Sequence, residues 1–79
     1  MVLSEAVPKK RNLYKILGNT IRSERQKAGL TQEQLAEKAD LARNYIGNVE
    51  RAENKVTLDT LARIATALKL TIHDITRGL

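Results

Sequence analysis

The chain has 79 residues, about half of an average domain, so it has room for one small domain and no second one. Fourteen basic side chains against nine acidic ones give a formal charge of +5; Cys is absent and His occurs once. No disulfide framework, thiolate zinc site or His-rich metal cluster can be built from this inventory, so no metal and no cofactor is expected. The two scattered serines do not make a hydrolytic triad, which argues against an enzyme. The core must be aliphatic, since hydrophobic residues make up 42% of the chain but the aromatics are Tyr14 and Tyr45 alone. One Pro and four Gly interrupt the chain too rarely for a turn-rich sheet, which predicts an all-α domain. At this size the stability margin is thin, and a partner subunit would add buried surface. No apolar run approaches the roughly 18 residues of a membrane span. Glu5, Pro8 and the run Lys9-Lys10-Arg11 occupy the stretch where a signal peptide needs an apolar core, so the expected location is the cytoplasm, away from membranes.

In chain order, residues 1–10 show no periodicity and contain the single Pro, and they are expected to form a flexible basic arm ahead of a domain over 11–79. The charge supports this division: residues 1–28 carry seven basic and two acidic side chains, and the rest of the chain is nearly balanced. A basic arm before a small domain favours an anionic polymer as partner, and a solubilising tail is the alternative. Leu13, Ile16, Leu17, Ile21 and Ala28 form a helical stripe that Gly29 ends. Thr31, with Gln34 three residues on, is a capping box opening a second helix with Leu35, Ala36 and Ala39 on its buried face; it stops at Asp40. The pattern predicts a third helix over residues 42–51, buried around Ile46 and Val49, with Leu41 packing beneath its start. Thr57 caps a fourth helix bearing Leu58, Leu61, Ile64, Ala65 and Leu68. Thr71 and Asp74 repeat the capping pattern for a short fifth helix bearing Ile72 and Ile75.

The third helix leaves Asn44, Gly47, Asn48 and Arg51 on the face opposite its core, with Arg43 extending from its first turn and no acidic residue among them. The segment that contains it runs Gln32-Glu33-Gln34-Leu35-Ala36 through Asp40-Leu41-Ala42-Arg43-Asn44-Tyr45-Ile46-Gly47-Asn48-Val49-Glu50-Arg51. It resembles the helix-turn-helix of the Cro/repressor (XRE-like) family, whose fold is the five-helix lambda-repressor-like DNA-binding domain. Ala36 matches the small residue at the helix crossing, and Leu35, Leu41, Ile46 and Val49 match the buried positions. The resemblance covers roughly residues 13–75, and among the branches of the family it is most similar to restriction–modification controller proteins. Two positions depart from the pattern: Asp40 stands where Gly is usual, and Ala42 replaces the usual Ser or Thr cap, forfeiting about 1 kcal/mol.

The resemblance implies a sequence-specific transcriptional regulator that binds double-stranded DNA as a homodimer on a pseudo-palindromic operator. The alternative is an antitoxin or protein-interaction module on the same fold. It implies Arg43, Asn44 and Asn48 as base readers, in keeping with the pairing of Arg to guanine O6 and N7 and of Asn to adenine N6 and N7; the alternative is a solvated helix-start residue for Arg43 and ordinary surface amides for the other two. Phosphate contacts are expected from Gln32, Tyr45 and Arg51, and from Lys9, Lys10 and Arg11 of the arm. Gln32 is also expected to brace the reading helix. Glu50 is expected to pair with Arg25 of the first helix, an architectural contact. Leu70, Ile72, Ile75 and Leu79 are the candidates for the dimer surface, unless they complete the chain's own core. His73 is expected to be an exposed residue rather than a pH switch. No small-molecule ligand is evident.

Overall fold

Five helices follow one another without a strand among the residues that the computed structural model describes, 12–79. They are α1 (Leu13–Lys27), α2 (Gln32–Ala39), α3 (Tyr45–Glu50), α4 (Leu58–Ala67) and α5 (Ile72–Thr76). The all-α architecture and the order of elements are those the periodicity predicts; the arm over residues 1–10 lies outside the described residues. Four of the five helix starts are set by side-chain caps. Asn12, Thr31, Thr57 and Thr71 each accept a hydrogen bond from a backbone N–H three residues on, and the boxes Thr31–Gln34 and Thr71–Asp74 are both complete.

Four helix ends share one device. After α1, Gly29 N–H donates to Gln26 O and Leu30 N–H to Arg25 O, a Schellman pair around a left-handed residue. The same pair closes α2 around Asp40, α3 around Ala52 and α4 around Lys69, with φ of 58°, 61° and 61°. Only the first of these four positions is glycine, so the predicted stop at Asp40 is one case of a pattern that the sequence does not announce at Ala52 or Lys69.

The core is the aliphatic cluster of Leu17, Ile21, Leu35, Ala36, Ala39, Ile46, Val49, Leu61, Ile64, Ala65, Leu68 and Ile75. Helix α1 packs on α3 and α5, α2 on α3 and α4, and α4 on α5, so every helix contributes to it. Not every stripe residue joins it, and Ile16 and Ile72 are only half-buried. Leu13, Ala28 and Leu58 are exposed, Leu58 at 70%, because each lies at the end of its helix beyond the reach of a neighbour. Helix α3 is also shorter than predicted, Tyr45–Glu50 rather than 42–51. Ala42 offers no side-chain cap and Asn44 makes none, so residues 43–44 form a turn in which Tyr45 N–H reaches only to Ala42 O.

Gly18 has a structural reason that the sequence reading missed. A Cβ there would stand 2.6 Å from Val49 O and 2.7 Å from Glu50 O. The missing side chain lets α1 press directly on the last backbone carbonyls of α3, which fixes α3 by its C-terminal end. No helix among the described residues is long and apolar enough to cross a membrane.

Candidate nucleic-acid interface

The orientation of α3 is held by a charge network beneath it. Arg25 Nε donates to Glu50 Oε2 at 2.6 Å, Nη2 to Glu50 Oε1 at 3.1 Å, and Nη1 to Leu30 O at 2.8 Å. Gln32 Nε2 donates to the same Oε1 at 3.0 Å. The Arg25 and Glu50 side chains are 10% and 3% exposed, so the predicted pair is a buried one. The Glu50 carboxylate joins α1, α2 and α3, and Arg25 Nη1 ties in the α1–α2 loop through Leu30 O. Removing one member of such a pair strands the other charge, a loss of about 3–5 kcal/mol, whereas the intact pair mainly sets geometry.

Above this network lies the face the sequence singles out. Gly47 is buried, because the side chains of Gln32 and Arg51 lie across it; a Cβ there would sit 3.2 Å from Gln32 Oε1 and 3.1 Å from Arg51 Nη1. Asn48 is half-buried and its Oδ1 accepts from Arg51 Nη2 at 2.7 Å, which leaves its amide NH2 to donate outward. Arg51 Nη2 also stands 3.2 Å from Glu53 Oε1. Asn44 is exposed in the turn before α3. Arg43, in the same turn, is exposed, with Nε 3.3 Å from Glu33 Oε2. Tyr45 is half-buried and packs on the core.

Gln32 therefore gives one of its two amide N–H groups to Glu50 and braces α3 from below; the other has no acceptor among the described residues. Beside it, backbone donors are also open to an anion at this end of α2. The N–H groups of Gln32 and Glu33 have no acceptor among the described residues, and they point out of a helix N-terminus. Arg25, Thr31, Gln32, Glu33, Arg43 and Asn44 line one open recess there. The structure thus brings Gln32, Arg43, Asn44, Asn48 and Arg51 to one surface. Lys9, Lys10 and Arg11 lie outside the described residues.

Two further residues of this surface escaped the sequence reading, Glu33 and Glu53, each an acidic partner of an exposed arginine. Glu33 is ten positions from Arg43, a separation that no local rule pairs. The proposed dimer residues also need correction. Ile75 is 1% exposed and belongs to the chain's own core, so a second copy cannot touch it. Leu70 and Ile72 are half-buried against that core, and Leu79 is 41% exposed. His73 is exposed. No group of His, Cys, Asp or Glu among the described residues has the arrangement to hold a metal ion.

A second short helix set across a first, with its outer face polar and cationic and its inner face locked by Arg25–Glu50, is the geometry that the family resemblance predicts. The family pattern described as helix-turn-helix matches residues 21–75. The chain belongs to this family. The helix-turn-helix chain is 48% identical over 61 residues to the control protein C.SmaI of Serratia marcescens, covering 77% of this chain and 73% of that protein. It superimposes on the restriction-modification controller protein C.AhdI of Aeromonas hydrophila with a TM-score of 0.77 at 35% identity, over 78% of this chain and 94% of that one. The controller protein C.Esp1396I, whose tetramer has been solved in complex with its natural 35-base-pair operator, gives a TM-score of 0.79 at 29% identity, over 87% of this chain and 91% of that one.

Proposed function

We propose that this helix-turn-helix protein is a sequence-specific transcriptional regulator that binds double-stranded DNA as a homodimer on a pseudo-palindromic operator. It acts in the cytoplasm by binding rather than by catalysis, and it serves as a controller of a restriction–modification operon that includes its own gene. The observation that carries this reading is the grouping of Arg43, Asn44, Asn48 and Arg51 around α3, next to the open N-terminus of α2. The major groove admits one helix, and a helix-turn-helix presents the N-terminal part of its second helix to base edges. Arg43 and Asn44 precede that helix and Asn48 lies on its outer face, so these three read bases. Arg51, at its far end, and the backbone N–H groups of Gln32 and Glu33 take phosphates; Tyr45 adds its hydroxyl, and Lys9, Lys10 and Arg11 follow the duplex.

The similarity to C.SmaI, C.AhdI and C.Esp1396I supports the controller reading, and the operator complex of C.Esp1396I supports a multimer on DNA. Selection of binding sites from random duplexes, followed by footprinting upstream of the protein's own gene, tests it. A two-fold symmetric site recovered in both is the expected result. Selection that enriches no such site overturns the reading, and the absence of a restriction endonuclease or methyltransferase gene nearby overturns the controller part alone.

A further inference from the structure

Arg43 sits in the turn ahead of α3 with its side chain 79% exposed, so neither core packing nor helix geometry aims it. Among the described residues its charged partner is Glu33, whose Oε2 lies 3.3 Å from Arg43 Nε. Nε is the inner nitrogen of the guanidinium. A carboxylate there leaves Nη1 and Nη2 clear, and that outer fork is able to donate to guanine O6 and N7 together. Glu33 is itself well placed to hold steady, in the first turn of α2, where the helix dipole favours an acid and the Thr31–Gln34 box fixes the backbone. In water a pair this exposed contributes little. Against DNA the water is displaced, the same attraction strengthens, and the pairing also shields a carboxylate from nearby phosphates.

We propose that Glu33 is a positioning residue that holds Arg43 end-on to a guanine and thereby sets specificity at that base pair. This rests on Arg43 being a base reader. The test measures affinities of the full chain for its selected site, for single-base variants of that site and for a random duplex. A bidentate arginine favours guanine by about ten- to a hundredfold. Glu33→Ala should cut that preference several-fold, while affinity for random duplex holds or rises because a negative charge near phosphates is gone. Glu33→Gln keeps an oxygen that is able to accept from Nε and should restore part of the preference. Glu37→Ala removes the same charge one turn along α2, from a residue with no ion pair among the described residues, and should leave base preference unchanged. In an Arg43→Ala background, adding Glu33→Ala should change nothing further at that base.

A Glu33→Ala effect equal on all sequences, or fully additive with Arg43→Ala, overturns the positioning role. If Arg43→Ala shifts base preference and Glu33→Ala does not, the positioning role falls and the base-reading assignment stands. If Arg43→Ala itself leaves base preference unchanged, both fall. Glu33 and Glu37 are exposed, and thermal melts of each variant verify that the fold is kept.

Discussion

Arg43 and Arg51 share a surface but are held differently, and the difference sorts their roles. Arg43 projects from a turn and touches one carboxylate, whereas Arg51 caps the C-terminal end of α3 and is shared between Asn48 and Glu53. A side chain at the leading end of the reading helix reaches base edges, and one at the trailing end reaches the backbone of the duplex. Arg43→Ala should therefore relax specificity at one guanine per half-site, at about 1–3 kcal/mol per contact. Arg51→Ala should weaken binding to all sequences nearly equally and make the salt dependence shallower by about one unit for each phosphate no longer neutralised. Competition binding against single-base variants of the operator at two salt concentrations separates them. An unchanged site preference in Arg43→Ala contradicts the base-reading assignment. Glu50 belongs to the same scale: one carboxylate accepts from Arg25 and Gln32 and so transmits the position of α1 and α2 to the reading helix.

The helices are short, so their ends decide how they pack. Lys69 and Ala52 occupy left-handed positions that glycine fills without a Cβ clash. Lys69 is exposed and its side chain has no hydrogen bond or ion pair among the described residues, so Lys69→Gly should stabilise the domain by about 1 kcal/mol. That is a rise of roughly 4–8 °C in the melting temperature of a domain this small, and a fall in melting temperature contradicts it. Gly18→Ala acts in the other direction. The atoms in the way are backbone carbonyls of α3, which cannot swing aside, so about 1–3 kcal/mol of stability should be lost. DNA affinity should drop with it, because α3 must shift; chemical denaturation paired with binding to the selected site reads both. At the start of α5, the Thr71 backbone N–H, then the Thr71 hydroxyl contact, hold the Asp74 carboxyl below its ordinary range, and Arg77 adds to this. A lowered native value means that the stabilisation is complete above the unfolded value near 3.9 and is lost as pH falls through the native one. Asp74→Asn should thus be less stable than the parent at pH 7, and the gap should narrow as melts are repeated at pH values falling below about 3.9.

For the whole molecule, the limiting facts are a small core and a single six-residue reading helix. One such helix covers only a few base pairs, too few to be selective in a genome, and a two-fold dimer doubles the site. We expect a homodimer whose two copies of α3 lie one turn of DNA apart, about 34 Å. With Ile75 inside the core, we expect the dimer surface to draw on Leu79 and the half-buried edges of Leu70 and Ile72. Sedimentation at tens of micromolar, free and on the selected duplex, measures this directly. A chain that stays monomeric in both conditions rules the dimer out.

The five helices and four of their starting caps are local matters, set by apolar spacing and by Asn or Thr before each run, and all but the Asn12 cap were legible along the chain. Asn48 was legible on the outer face of α3, while Arg43 and Asn44, in the turn ahead of it, and the Arg25–Glu50 pair, a contact across 25 positions, came from the family resemblance. What tertiary structure alone decided are the relations between elements. It chose which stripe residues were left outside, placed Ile75 in the core rather than on a dimer surface, pressed Gly18 against α3 and set Glu33 beside Arg43. Periodicity fixes the face a side chain takes on its own helix. Whether another helix lies over that face depends on the packing of all five, and no local pattern of residues encodes it.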